Sequence, residues 1–110
     1  MIDWIRVSEL RDEIGAEDFA EVADLFLMEV EETLSQLDGP KHNVVQIREM
    51  MHFLKGSALN LGFCKLADVC NAAELAAAQG EVDIDIPAVQ DLYTASREQF
   101  ESEYAQRFAA

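Results

Sequence analysis

One histidine near the middle of the chain has neighbours that suit nucleophilic chemistry. Arg48, Lys55 and Gly56 stand four residues before, three after and four after His52, so on a helix they share its face. An imidazole that is neutral at pH 7 has a lone pair and can carry a covalent group. Two nearby cations could hold the oxygens of a phosphoryl group, whose transfer depends on positioning and charge stabilisation. A mid-helix glycine costs about 1 kcal/mol relative to alanine, which indicates that space above the ring is kept open.

The helix that must position these side chains is patterned for a core on another face. Its apolar residues recur at alternating spacings of three and four, which predicts one buried stripe. His52 is displaced from Met51 by about 100°, well off the centre of that stripe. The stripe consists of Val44, Ile47, Met51, Leu54, Ala58 and Leu61.

Signals for the ends of this helix place His52 near its middle. Asn43 and Gln46 have the spacing of a capping box, and Gly62 is a residue typical of the position just past a helix end. We therefore predict a helix from Asn43 to about Asn60. The helix dipole fades within one turn of a terminus, so it does little for a phosphate at His52. Side-chain cations must supply the charge instead.

The segment from His52 to Gly62 reads H-x-L-K-G-S-x-x-x-x-G. This motif resembles the active-site helix of histidine-containing phosphotransfer (HPt) domains, which are the shuttles of multistep phosphorelays. The resemblance implies that His52 attacks a phosphoryl group on an aspartate of a partner, while Lys55 and Arg48 hold the phosphoryl oxygens. Gly56 would leave room for the partner.

The same resemblance implies partners and a docking surface. Val45 and Leu59 fall on the His52 face by helical angle, and Ser57 belongs to the motif. All three are candidate contacts for the partner. The expected partners are response-regulator receiver domains and a sensor (hybrid) histidine kinase. The resemblance implies no cofactor of the chain's own, because magnesium would be held by the receiver domain.

Charge is distributed unevenly along the chain. Its formal net charge of −14 argues against nucleic acid or an anionic membrane as a partner. Residues 41–65, however, carry four basic side chains and one acidic side chain, whereas the remainder carries four basic and 21 acidic ones. Acidic helices are compatible with a simply solvated surface, but this local basic region also suits a phosphoryl group or an acidic partner.

Composition further limits the class of protein. Cys64 and Cys70 would lie about 9 Å apart along one helix, too far for a disulfide, so we expect reduced thiols. The N-terminus lacks the pattern of a signal peptide, and the longest uncharged run, Gly56 to Cys64, cannot span a membrane. We therefore expect a cytoplasmic protein. The absence of glycine loops for ATP indicates a phosphocarrier without kinase activity of its own.

Amphipathic segments elsewhere predict the fold. Ser8 could cap a short first helix, residues 38–40 read as a turn, and short joins separate the later helices. We predict an all-α fold: an antiparallel up-down four-helix bundle with a short extra N-terminal helix, forming a single domain over residues 1–110. We expect a monomer. The other predicted helices are Glu9–Ile14, 16–38, Phe63–Gln79 and Pro87–Phe108.

Helical spacing predicts the inner faces of these segments but leaves some positions open. In the fourth helix either Val69 or Cys70 faces inward, and in the last either Leu92 or Tyr93 does. The predicted stripe of the second helix is Phe19, Val22, Phe26, Val30, Thr33 and Leu37, widened by Leu27 and Leu34.

Two alternative functions compete with phosphotransfer. One is a non-catalytic helical adaptor that binds a receiver or kinase domain through the same face. The other is a metal-binding bundle that uses His42, His52 and Cys64, whose spacing fits no compact zinc ligand set. Taken alone, His52 would be an ordinary surface histidine and Lys55 a solvated charge; their combined spacing favours phosphotransfer.

Overall fold

The helix that carries His52 is the third of five in a computed structural model that describes residues 2–37, 43–81 and 83–108. These residues contain no β-strand, although Ile2 and Phe63 form one isolated antiparallel bridge. None of their helices is long and apolar enough to cross a membrane. The helices are α1 (Trp4–Ile14), α2 (Phe19–Leu37), α3 (Val44–Asn60), α4 (Cys64–Ala78) and α5 (Ile86–Arg107).

The apolar stripe of α3 forms the centre of the bundle, as predicted. Met51, Leu54 and Ala58 are completely buried, and Val44 at the start of the stripe is half-buried. The predicted capping box is also present. The Asn43 side chain accepts a hydrogen bond from the Gln46 N–H (2.9 Å), and the Gln46 side chain accepts one from the Asn43 N–H (3.0 Å).

A tight connection joins α3 to α4 and fixes their relative direction. Gly62 has a φ of +73°, a conformation that glycine adopts readily. Its carbonyl accepts a hydrogen bond of 2.7 Å from the Asp3 N–H, and a Cβ at Gly62 would lie only 2.6 Å from the Asp3 carbonyl oxygen. This position therefore requires glycine for both conformation and space. The short connection makes α3 and α4 antiparallel neighbours.

The predicted start of the first helix was wrong. The helix begins at Trp4 rather than Glu9, and its cap is Asp3 rather than Ser8, because the Asp3 carboxylate accepts a hydrogen bond from the Arg6 N–H (3.2 Å). Anchoring of Asp3 to the α3–α4 connection supplies a long-range reason for this early start. Propensity within residues 1–15 could not reveal that contact.

The inner face of α2 is rotated from the predicted one. Phe19, Val30 and Leu37 of the predicted stripe are buried, as are Leu27 and Leu34, which were predicted to widen it. Val22, Phe26 and Thr33 are only half-buried, and Ala23, which was not predicted, is buried. The buried face is therefore turned away from Val22 and Phe26 and toward Ala23, but it keeps most of the predicted residues. The helix also begins at Phe19, after a turn over residues 16–18.

Packing settles the positions left open in the last two helices. Cys70 and Tyr93 are buried, whereas Val69 is 39% exposed and Leu92 is half-buried. The last helix starts one residue before Pro87, because the Asp85 carboxylate caps it. The predicted turn at residues 38–40 lies outside the described residues.

Contacts between α2 and α5 close the bundle. The Tyr93 hydroxyl donates a 2.7 Å hydrogen bond to the Glu31 carboxylate, which also pairs with Arg97. Phe19, at the start of α2, stacks on Tyr104 near the end of α5, with ring centroids 5.4 Å apart. The two helices therefore run in opposite directions. This arrangement confirms the predicted all-α, up-down four-helix bundle with α1 added at one end.

Candidate functional site

The His52 side chain projects from the middle of α3 into solvent. It is 70% exposed, although Met51 beside it is completely buried. The Nδ1 atom lies 2.9 Å from Oε1 of Glu74, on the neighbouring helix α4. An ionised carboxylate can only accept a hydrogen bond, so this contact requires a proton on Nδ1. The Nε2 atom is left as the nitrogen with a lone pair.

Glu74 also binds the lysine of the motif. The Lys55 ammonium nitrogen lies 2.8 Å from Oε2 of Glu74 and 3.5 Å from the Asn71 side-chain oxygen. The Lys55 ammonium, supported by the His52 ring, holds the pKa of the Glu74 carboxyl below its ordinary value of 4.5, although desolvation acts in the opposite direction. The carboxylate is therefore ionised at neutral pH and links the two motif residues.

Sequence reasoning missed Glu74, although two signals could have identified it. It is the only charged residue between Val69 and Gly80. Its position is also set by the α3–α4 hairpin, because His52 and Glu74 each stand 11 residues from Phe63. Antiparallel helices joined by a short turn bring such symmetric positions together. An isolated carboxylate at the matching position opposite a histidine is therefore a recognisable pattern.

A groove runs beside the histidine between α3 and α4. Its volume is about 510 Å³, and it combines charged side chains with the small Ala77 and Ala78. Arg48 lines the groove together with His52 and has no ion-pair partner among residues 2–37, 43–81 and 83–108. The two predicted cations therefore differ: Lys55 is already bound to a carboxylate, whereas Arg48 is available.

Apolar side chains surround the histidine on the same surface. Val45 is 61% exposed and Leu59 is 53% exposed, and they lie about two turns before and after His52 on α3. A Cβ at Gly56 would meet no heavy atom within 4 Å, so the space next to the ring is open on this side. The predicted candidates Val45, Leu59 and Gly56 therefore share one face with His52.

Ser57, which was predicted as a candidate contact for the partner, does not belong to this face. Its residue is only 5% exposed, because five positions along a helix correspond to a rotation of about 140° from His52. A partner at the His52 surface could not reach its hydroxyl without rearrangement. The motif serine thus lies on the inner side of α3, next to the completely buried Ala58.

The alternative metal site gains no support from the described residues. They contain no group of three or more histidine, cysteine, aspartate or glutamate side chains that could hold a metal ion. His42 lies outside the described part of the chain. Cys64 and Cys70 form no disulfide, and burial raises the pKa of Cys70 to about 12.

Comparisons with known proteins agree with this architecture. The sequence model of the Hpt domain family matches residues 21–109. Phosphorelay intermediate protein YPD1 of Candida albicans is 35% identical over an alignment of 76 residues; the match covers 64% of this chain and 40% of that relative's length. The crystal structure of histidine-containing phosphotransfer protein B (HptB) from Pseudomonas aeruginosa PAO1 is 25% identical, with a TM-score of 0.76. That similarity covers 97% of this chain and 96% of the solved one.

Proposed function

Because the chain belongs to the Hpt domain family, whose members act in phosphorelays, we propose that His52 is its phosphoryl-accepting residue. The observation that carries this proposal is the pair of contacts on Glu74, which engages Nδ1 of an exposed imidazole together with Lys55. This arrangement orients the ring from one side only. The opposite nitrogen, Nε2, is left to act as the nucleophile.

The proposed reaction exchanges one bond to phosphorus for another. The Nε2 lone pair of His52 attacks the phosphorus of an aspartyl phosphate on the partner. The Nε2–P bond forms, the P–O bond to the aspartate breaks, and the aspartate leaves as a carboxylate. The ring gains a positive charge and keeps its Nδ1 proton, which the Glu74 carboxylate holds. Transfer in the opposite direction reverses each step.

Two cations of α3 would stabilise the charge on the transferring group. Phosphoryl oxygens carry negative charge throughout the reaction, so a positioned cation lowers the barrier. Arg48 is available in the groove, and the Lys55 side chain is 24% exposed, so its ammonium could exchange Glu74 for the phosphoryl group. Gly56 adds no side chain that would obstruct the approach.

Family members interact with receiver domains and kinases in phosphorelays. For this chain, we propose a response-regulator receiver domain and a sensor (hybrid) kinase as partners. The exposed Val45 and Leu59 would provide apolar surface around the reacting nitrogen. Magnesium would belong to the receiver domain, and the chain would act without a cofactor of its own, as a cytoplasmic monomer and phosphocarrier that does not use ATP.

The decisive experiment for this function is transfer from phosphorylated receiver domains. A panel of receiver domains from the host would be phosphorylated and mixed with the chain, and alkali-stable, acid-labile phosphate on the chain would be measured. We expect label on the wild-type protein and none on His52→Gln, while His42→Gln remains labelled. Label that persists on His52→Gln would overturn the assignment. Binding without any transfer would instead favour the adaptor.

A further inference from the structure

The residue that orients His52 is a carboxylate, and this choice affects the product as well as the nucleophile. A phosphoryl group on Nε2 leaves Nδ1 of a neutral ring with a lone pair. Both carboxylate oxygens of Glu74 are acceptors, so neither can satisfy that lone pair at 2.9 Å. A side-chain amide could rotate and donate an N–H instead. Glu74 therefore favours the form of the phosphorylated ring that keeps its proton.

From this geometry, we propose that Glu74 keeps phosphorylated His52 protonated on Nδ1, so that the chain passes its phosphoryl group on rapidly instead of storing it. The inference rests on the proposed function, because it concerns the phosphorylated form of His52. It adds a regulatory property of the same site, namely the lifetime of the phosphorylated state. Glu74 is a positioning residue here, since it acts through the imidazole.

Proton retention matters because it determines the leaving group. When the N–P bond of a protonated ring breaks, the bonding electrons return to Nε2 and a neutral imidazole leaves. When the ring carries no Nδ1 proton, the leaving group is an imidazolate anion, which is far less stable. The same bond is therefore broken much more readily in the protonated form. Both the transfer to an acceptor carboxylate and the hydrolysis by water follow this rule.

The charged groups around the ring determine how strong this effect can be. Glu74 from α4 contacts the ring directly, and Lys55 occupies the other carboxylate oxygen. Arg48 and Glu49 from α3 line the same groove. Because Lys55 lowers the pKa of the Glu74 carboxyl, that carboxylate stays ionised across the neutral range. A change of pH in this range therefore acts on the phosphorylated ring itself.

A partner-independent experiment tests this inference. Potassium phosphoramidate would phosphorylate His52 chemically in a His42→Gln background, so that the signal reports one histidine. The loss of phosphohistidine would be followed by ³¹P NMR from about pH 6 to pH 9, a range that includes the ordinary titration of imidazole derivatives. The variants are Glu74→Gln, which keeps the shape but not the charge, and Asp68→Asn. Asp68 is an exposed acidic residue of α4, about 9 Å away along the axis, so it controls for net charge.

We expect the phosphorylated Glu74→Gln protein to last about three- to tenfold longer near pH 8, the effect of a largely exposed charge-assisted hydrogen bond. As pH rises, the loss of phosphohistidine should slow, and in Glu74→Gln the midpoint of this change should lie at a lower pH than in the wild type. The midpoint of Asp68→Asn should equal that of the wild type. A purely structural role would change the rate without moving the pH dependence. Circular dichroism would verify that each variant is folded.

Superimposable pH profiles for the wild type and Glu74→Gln would overturn the inference. That result is distinguishable from failure of the proposed function, because chemical phosphorylation needs no receiver domain. If receiver domains transfer phosphate to His52 but the profiles coincide, only the role of Glu74 is wrong. If the profiles differ as expected but no receiver domain transfers phosphate, the proposed relay is wrong. The effect of Glu74 on the phosphorylated ring would still be supported.

Discussion

Two carboxylates in this bundle each bridge neighbouring helices, but they hold different kinds of donor. Glu31 of α2 accepts from the buried Tyr93 of α5 and pairs with Arg97. Glu74 of α4 accepts from a 70% exposed histidine of α3 and pairs with Lys55. In the first network the Tyr93 hydroxyl is buried and the Arg97 guanidinium is a donor only, whereas the second leaves one nitrogen lone pair facing solvent.

The difference shows that a carboxylate bridging two helices can contribute either to stability or to chemistry. Interhelical hydrogen bonds to a carboxylate contribute to folding wherever the donors are fixed and shielded. The same contact becomes functional when its donor is a ring with a second nitrogen that remains accessible. Exposure of that donor, and not the presence of an ion pair, therefore separates the candidate site from its structural counterpart.

The largest effect should come from removing Lys55, the cation of the exposed network that Glu74 forms with His52 and Lys55. We expect Lys55→Gln to reduce the rate of phosphoryl transfer about 10- to 100-fold, which is at or below the usual effect of losing a preorganised charge. Rapid-quench measurements with a phosphorylated receiver domain would give the rate. Lys65→Gln is the matched control, because Lys65 is exposed near the start of α4. Equal rates in the two variants would remove Lys55 from the mechanism.

The two glycines of the motif should respond in opposite ways. A Cβ at Gly62 would collide with the Asp3 carbonyl at a φ of +73°, so Gly62→Ala should lower the free energy of unfolding by about 1–3 kcal/mol. A Cβ at Gly56 would meet open space within a helix, so Gly56→Ala should raise it by about 0.5–1 kcal/mol. Urea denaturation would measure both.

Gly56→Ala should also slow transfer if its open space serves the partner. The added methyl group lies on the His52 face, so we expect a smaller rate constant in a more stable protein. A variant that is stabilised and transfers phosphate at the wild-type rate would show that the partner does not use this space. Gly56 would then need another explanation.

A smaller loss of stability should follow from removing the buried donor of the network around Glu31. Tyr93→Phe deletes the hydroxyl that binds Glu31, and such a hydrogen bond contributes about 1 kcal/mol. We therefore expect the free energy of unfolding in urea to fall by about that amount. The transfer rate should stay within about twofold of the wild type, because the site lies between other helices. A large loss of transfer would show that the two networks are coupled.

Acid should weaken the exposed network gradually. Because the Lys55 ammonium lowers the pKa of Glu74 in the folded chain, the stabilisation by this carboxylate is complete above its ordinary pKa of 4.5 and is lost as pH falls through the lower folded value. Carboxyl ¹³C NMR would follow the titration. Lys55→Gln should move its midpoint upward, toward 4.5. An unchanged midpoint would show that Lys55 does not hold Glu74 in solution.

Much of the fold could be predicted because its signals are local. The spacing of Ile47, Met51 and Leu54 identified the buried side of α3, and the capping box at Asn43 located its start. The first helix was different. Its start depends on Asp3 binding to Gly62, a contact 59 residues away along the chain that no local pattern records.

The candidate site was likewise predictable only where its residues lie on one helix. Residues on α3 were predicted by their common helical face, since His52, Lys55 and Gly56 belong to one segment. Glu74 was missed because it comes from a second helix, and pairing between helices depends on their register. Ser57 was a candidate contact because it belongs to the motif, but its helical angle places it on the buried side of α3.

In the proposed site, Glu74 holds Nδ1 of His52 and leaves Nε2 to carry phosphate. The most direct test uses ¹⁵N-histidine-labelled protein phosphorylated by a receiver domain, in which NMR couplings among ¹H, ¹⁵N and ³¹P identify the bonded nitrogen. We predict phosphorus on Nε2 of His52 and a proton on Nδ1. Phosphorus on Nδ1, or on any other residue, would contradict the account.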